Sequence, residues 1–293
     1  MPPDVVARFA DSPNRLVATT VVRRERLSPG FVRVGLTGPG VGLLADLGRD
    51  LRVKILLPGP DGYPASLSDG SSEAAWRAAW RGLPAQKRPV MRSYTAPRIV
   101  PEQRTLDLDF FLHDPAGPAS RWAARARAGD PLLVSAPAAA RAPASYGVQW
   151  APGLATRVLV GADETAFPAV AGILASLGRD VRATVLLECG DPADVVPFVG
   201  AGPGASPGVE VRVLQRGGRP GGVVLLAAVR EWAERYGAGA AAAGAGFYAW
   251  CATESARVAE VRRCLLGAGL AGTQVHTQGY WIDRSGAARH PEG

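Results

Sequence analysis

The 293-residue chain is predicted to be a β-barrel plus α/β protein, an N-terminal antiparallel barrel followed by a parallel-sheet domain. Three observations predict this. The first half reads as many short strands broken by strong turn signals, with only two short helical stretches. The second half alternates strand and helix patterns, which implies a parallel sheet with helices on both faces. The length is more than one ordinary core holds and suits two. The break is expected in the loop 140–152, giving domains 1–148 and 149–293.

The barrel half begins with RLVATTVVRRERLSPGFVRVGLTG (15–38), where β-branched and polar residues alternate around the turn Ser28-Pro29-Gly30. A strand at 51–57 is closed by Pro58-Gly59-Pro60-Asp61-Gly62. Residues 72–83, SEAAWRAAWRGL, place Trp76 and Trp80 one helical turn apart and predict a short helix with one aromatic face. Strands resume at 90–95, 105–113 and 131–135. Between the last two, Ser120 is read as a start signal and Gly129 as a stop for a second short helix.

In the second half, 156–178 reads as strand, turn, helix. Strands follow at 180–191 and 209–218, then a helix at 222–237, a strand at 246–253, a helix at 254–269 and a last strand at 274–281. The low-complexity tract 237–246, GAGAAAAGAG, is expected to be a flexible loop. A barrel followed by a nucleotide-binding α/β half is the order found in flavin reductases, an analogy of fold rather than of site.

Bulk properties exclude several classes. With 47% hydrophobic and 20% charged residues the chain can bury sizeable cores. The net charge of +7 sits in the first half, where 20 Lys and Arg face 13 Asp and Glu across residues 1–150. Such a surface attracts anions. The basic residues are scattered without aromatic interleaving, so no nucleic-acid partner is expected. Three cysteines, Cys189, Cys251 and Cys264, show no CxxC spacing, and the three histidines are dispersed, so neither a disulfide framework nor a metal site is expected. The start, MPPDVVARFADSP, has no apolar signal core, and no run of 18 apolar residues occurs. The expectation is a cytoplasmic protein without membrane contact.

Three segments carry candidate chemistry. In MRSYTAPR (91–98), Arg92, Tyr94 and Thr95 offer a cation, a flat ring and a hydroxyl at a strand end, with Arg92 and Tyr94 on one face. That trio suits a flavin and its pyrophosphate; the plainer reading is a surface Arg and a core Tyr. In DLDFFLHDPAGPASRW (107–122), Asp109 and Phe111 near the strand end are read as cofactor-binding, Gly117 permits close backbone approach to a phosphate, and the following helix offers free N–H groups. In GADETAFP (161–168), a strand leads directly into a helix, the place where a dinucleotide binds in such sheets. Asp163 and Glu164 would repel a pyrophosphate there. They are expected either to cap the helix or to stand near a nicotinamide.

In their order and spacing these segments resemble the siderophore-interacting proteins, FAD-dependent ferric-siderophore reductases of the ferredoxin-reductase type. The landmarks are RLSPGFVRVGLTGPG, DLRVKILLPGPDG, AAWRAAWRGL, RSYT, GPASRWA, GADETAFPA and the closing GYW, covering most of the chain. The resemblance implies that 1–148 binds FAD and 149–293 binds NADH or NADPH. It implies that Arg92, Tyr94 and Thr95 hold FAD, that His113, Gly117, Ala119 and Ser120 cradle the flavin and its phosphates, and that Asp163, Glu164, Thr165 and Ala166 face the nicotinamide. Trp250 and Trp281 match aromatic positions of the family and are implied to bind cofactor. The implied reaction passes electrons from NADH, NADPH or ferredoxin through flavin to a ferric siderophore and releases iron(II), with no protein acid or base.

The chain departs from the pattern in three places. Ala96-Pro97 displaces an expected arginine to Arg98, Asp114 replaces the glycine after the histidine, and CATE follows Trp250. These keep open a flavin reductase or flavin enzyme of secondary metabolism, or a redox-inactive ligand-binding protein. Cys251 is read either as a buried strand residue or as lining a nicotinamide pocket. Glu188 is read as a ribose ligand favouring NADH, against nearby arginines that would serve a 2′-phosphate. RGGRPGG (216–222) is read as a turn with exposed arginines, or as a phosphate loop.

Overall fold

A computed structural model describes residues 9–200 and 208–283. The segment 1–8, the start of the stretch read for a signal core, and His290 lie outside the described residues. The chain divides into two compact units, Met1–Gln149 and Trp150–Gly293.

The first unit is a seven-stranded sheet in the order β4-β3-β7-β1-β2-β6-β5, every pair antiparallel. Its elements are β1 (Asn14–Arg26), β2 (Phe31–Thr37), β3 (Arg52–Leu57), α1 (Glu73–Gly82), β4 (Val90–Thr95), β5 (Arg98–Val100), β6 (Thr105–Phe111), α2 (Pro118–Arg125) and β7 (Pro131–Pro137). The hydrogen-bonded order is open, yet Tyr94 of β4 packs on Phe110 of β6 with ring centroids 4.5 Å apart. Since β3, β7, β1 and β2 stand between those two strands, the sheet must curl on itself, and side chains rather than ladder bonds close the barrel. Alternation explains the core: Val32, Val34 and Leu36 lie opposite Phe110, Leu108 and Leu106, and all six are buried. Helix α1 starts at the Ser72 cap, whose side chain accepts from Ala75 N–H. It buries Trp76 against Leu16, Leu56, Leu67 and Leu133.

Two boundaries differ from the sequence expectation. β6 stops at Phe111, so His113 is off the strand. α2 begins at Pro118 behind a Gly117 cap and ends at Arg125, not at Gly129. Proline is preorganised for the first helical position, so Ser120 falls inside the first turn. Gly129 serves a turn at φ +96° instead.

The second unit comprises β8 (Arg157–Asp163), α3 (Phe167–Ala175), β9 (Arg182–Cys189), α4 (Val196–Val199), β10 (Val209–Gln215), α5 (Val223–Ala242), β11 (Phe247–Glu254), α6 (Ser255–Gly267) and β12 (Val275–Trp281). The sheet order is β10-β9-β8-β11-β12, all parallel. Chain order reverses between β8 and β11, which makes their C-terminal ends the switch point. α3 packs on α4 and α5 on α6; right-handed crossovers put the two pairs on opposite faces.

The tract 237–246 is not a loop. α5 runs through it to Ala242, because alanine is the strongest helix former. Gly237 has a packing reason: a Cβ there would stand 2.8 Å from Ala268 Cβ, just beyond α6. Among the described residues no helix is long and apolar enough to cross a membrane.

Candidate functional site

In the first unit, β4 and the β6–α2 link carry the predicted residues. Val53 and Ile55 lie opposite Tyr94 and Arg92, so both side chains share the face of the barrel core. Arg92 is exposed, and one guanidinium nitrogen donates to Met91 O at 2.9 Å. Tyr94 is backed by Phe110, and burial pushes its phenol well above the ordinary tyrosine range, so it stays a neutral hydroxyl. Thr95 ends the strand, buried. Beyond β6, Ser120 Oγ donates to Phe111 O (2.8 Å) and accepts from His113 N–H (3.2 Å). This latch fixes the first turn of α2 against the strand end. A Cβ on Gly117 would stand 3.4 Å from the His113 imidazole, and Ala119 is buried beneath. No side chain caps this helix end, so its amides remain available to an anion. Phe111 sits between Phe31 and His113, at 5.4 and 6.3 Å.

Asp109 is a correction. Both its oxygens take the Arg33 guanidinium, at 2.7 and 2.8 Å, and Arg33 is its cross-strand partner. Alternation puts Asp109 on the opposite face of β6 from Phe110, so it is a buried structural ion pair rather than a cofactor ligand. The displaced Arg98 lies on β5, exposed and opposite Asp107.

In the second unit, the C-terminal edge of the sheet gathers the predicted acids. Asp163, at the end of β8, is buried. Its Oδ1 accepts from the Thr165 N–H (3.0 Å) and hydroxyl (2.5 Å). Its Oδ2 accepts from Thr253 Oγ1 (2.7 Å) and Trp281 Nε1 (2.8 Å). Burial lifts this carboxyl above its ordinary range against the pull of those donors. Glu164 accepts from Gly190 N–H at 2.8 Å and pairs with Arg216. Burial raises it too, with Arg216 drawing it back. Arg216 also donates to Glu188 at 2.8 Å. Asp163 caps the short 3-10 turn Glu164–Ala166, whose last residue, Ala166, is fully buried.

Two family models match, a siderophore-interacting FAD-binding domain over residues 20–141 and siderophore-interacting protein over 155–284. This chain belongs to the siderophore-interacting protein family. FAD is the family's cofactor, and the fold is that of ferredoxin-reductase-like proteins. A siderophore utilization protein from T. fusca superposes with a TM-score of 0.68 at 28% identity, covering 92% of this chain and 94% of that one. An uncharacterized protein of Mycobacterium tuberculosis is 31% identical over 209 residues, 70% of this chain and 66% of that protein. The NADPH-dependent ferric-chelate reductase of Escherichia coli is 32% identical over 161 residues, 55% of this chain and 56% of that enzyme. The chain thus spans just under two thirds of the first relative and little more than half of the second.

Among siderophore-interacting protein positions read from the sequence, three others take structural roles. Trp250 is fully buried, edge-on to Tyr280 at 6.2 Å, and presents no surface to a ligand. Glu188 is also fully buried. It accepts from Arg216 Nε, Gly222 N–H and Leu225 N–H at 2.7–2.8 Å, and its burial leaves no path to a ribose. Cys251 lies in the core beneath α5 and α6, its thiol pushed up to about 12 by burial; the buried-strand reading holds. The sequence reading missed Thr253 and the Glu164–Arg216–Glu188 network. The signal existed: Glu188 and Arg216 end or follow neighbouring parallel strands, so they arrive at one edge.

Proposed function

We propose that the chain is an FAD-dependent reductase that takes electrons from NADH or NADPH and passes them to a ferric siderophore, releasing iron(II). The observation that carries this is the conjunction, on one curled sheet matched by the FAD-binding model, of an exposed Arg92, a ring-backed Tyr94 and an uncapped α2 N-terminus. FAD is assigned to the unit Met1–Gln149 and the nicotinamide to Trp150–Gly293. When bound, FAD supplies hydride acceptance and single-electron delivery. Arg92 and the α2 amides would hold its pyrophosphate by charge and N–H donation. Tyr94 would present a ring and a neutral hydroxyl, and Thr95 a second hydroxyl, while the Ser120 latch keeps the phosphate cradle in place. The excess positive charge of the first half favours an anionic ferric chelate. Weak binding of iron(II) by hard oxygen chelators makes reduction equivalent to release. Ferredoxin is the alternative donor, and the cytoplasm the expected location.

The test is a visible spectrum after mixing with FAD and desalting, then anaerobic NADH or NADPH, then a ferric siderophore with an iron(II) chromophore present. Retained flavin that bleaches and recovers with iron(II) formation supports the proposal. Retention without recovery by the chelate removes the siderophore as substrate. Loss of flavin by wild type and Arg92→Ala alike removes the assigned FAD site.

A further inference from the structure

On a doubly wound sheet a dinucleotide lies over the C-terminal strand ends. The adenosine ribose is read at the end of the second strand, by an acid when it carries a 2′-hydroxyl and by an arginine when it carries a 2′-phosphate. Here the second strand is β9, and its closing acid is Glu188. That carboxylate is fully buried and accepts from Arg216 Nε, Gly222 N–H and Leu225 N–H. It therefore also closes the N-terminus of α5 to any phosphate. The next acid, Asp191, is exposed and uses Oδ1 to cap Ala193 N–H at 2.9 Å.

This corner also carries an exposed cation, Arg219. The turn leaving β10 runs Arg216-Gly217-Gly218-Arg219, and both glycines are left-handed, at φ +59° and +76°. Only glycine takes that conformation freely, so the turn has a defined shape. Its base is clamped, because Arg216 is shared between Glu164 and Glu188, two buried carboxylates that neutralise it. Arg219 N–H returns to Arg216 O at 3.2 Å, which ties the far end of the turn to the clamp. The Arg219 side chain is exposed.

Resting on the NAD(P)H reading above, we propose that Arg219 binds the 2′-phosphate of NADPH and makes this chain prefer NADPH to NADH. Arg216 is a positioning residue: it carries the turn, while its charge is taken up by the two glutamates. A guanidinium binds a phosphate dianion through charge-assisted paired hydrogen bonds, and a ribose hydroxyl offers no equivalent.

The experiment is calorimetric titration of the full chain with 2′,5′-ADP and with 5′-AMP, which differ only in the 2′-phosphate, for wild type, Arg219→Ala and Asp191→Asn. Wild type is expected to bind 2′,5′-ADP about tenfold or more tighter than 5′-AMP. Arg219→Ala should bring the two within about threefold, leaving 5′-AMP affinity unchanged. Equal binding of the two nucleotides by wild type overturns the proposal. So does a preference that survives Arg219→Ala, or loss of 5′-AMP binding in Asp191→Asn with no effect of Arg219→Ala, which would make Asp191 the ribose reader. Binding of neither nucleotide also overturns it. Flavin retention and bleaching by either nicotinamide, scored separately, decide the reading on which it rests.

Discussion

The two units treat their polar groups in opposite ways. Around β4 and α2, Arg92 is exposed and the helix end has no capping side chain. At the edge of the second sheet, Asp163 accepts four hydrogen bonds, Glu188 three, and Glu164 pairs with Arg216. An open set of donors can serve a ligand that supplies the acceptors. A saturated set is a frame, and leaves binding to groups at its margin.

The sharpest way to break this contrast is Glu188→Ala. It strips the buried partner of Arg216 and of two α5 amides. Removing one side of a buried pair costs about 3–5 kcal/mol, so thermal melts should show a larger loss of stability than for Arg92→Ala, Asp163→Asn or Lys54→Met. A small loss would mean that the frame is not a frame. Arg92→Ala tests the other side. An exposed residue without a buried partner should leave the melting temperature of the FAD-free protein unchanged, while FAD affinity falls by about tenfold. If stability falls and affinity does not, Arg92 belongs to the fold and not to the cofactor.

The same contrast governs how much is legible in the sequence. Strand and helix order and the α1 aromatic face follow from periodicity and turn chemistry, which are local; the three candidate segments stand out only by their order and spacing along the chain. The tract 237–246 misleads because glycines scattered among alanines resemble a linker, while the alanines carry α5 to Ala242 and Gly237 fits against Ala268. Asp109 and Glu188 mislead for a different reason: their partners, Arg33 and Arg216, lie 76 and 28 positions away, and only strand pairing brings them together. On the open face Arg92, Tyr94 and Thr95 are brought together by sequence itself, within four consecutive residues. Those of the saturated edge are not.

A smaller effect is expected at Asp163→Asn, where one oxygen becomes a donor. Thr253, Thr165 and Trp281 together need more acceptors than an amide provides, and an unsatisfied buried group costs about 1–3 kcal/mol. Because Trp281 Nε1 is one of the donors, its fluorescence should shift with the substitution. An unchanged emission and melting temperature would show that the indole is held by packing alone.

The smallest effect lies back in the first unit, under α1. Lys54 donates to Ser93 Oγ at 2.5 Å, and its ammonium is drawn down to about 8, first by burial and then by Arg52 and Arg77. A lysine whose folded pKa lies below its unfolded value of 10.5 binds fewer protons when folded. Stability must therefore rise with pH between about 8 and 10.5, the reverse of the loss usual for a lysine that gains an acidic partner. The chain holds only one other lysine, Lys87, which is exposed and serves as an internal comparator. Amine acylation followed by peptide mass analysis should give Lys54 a half-maximal labelling rate near pH 8, relative to Lys87. Lys54→Met should flatten the stability rise over the same interval. Parallel labelling of the two lysines across that range would mean that Lys54 is as well solvated as Lys87, and that the ground beneath α1 is as open as the Arg92 face rather than a third, partly closed environment between the two extremes.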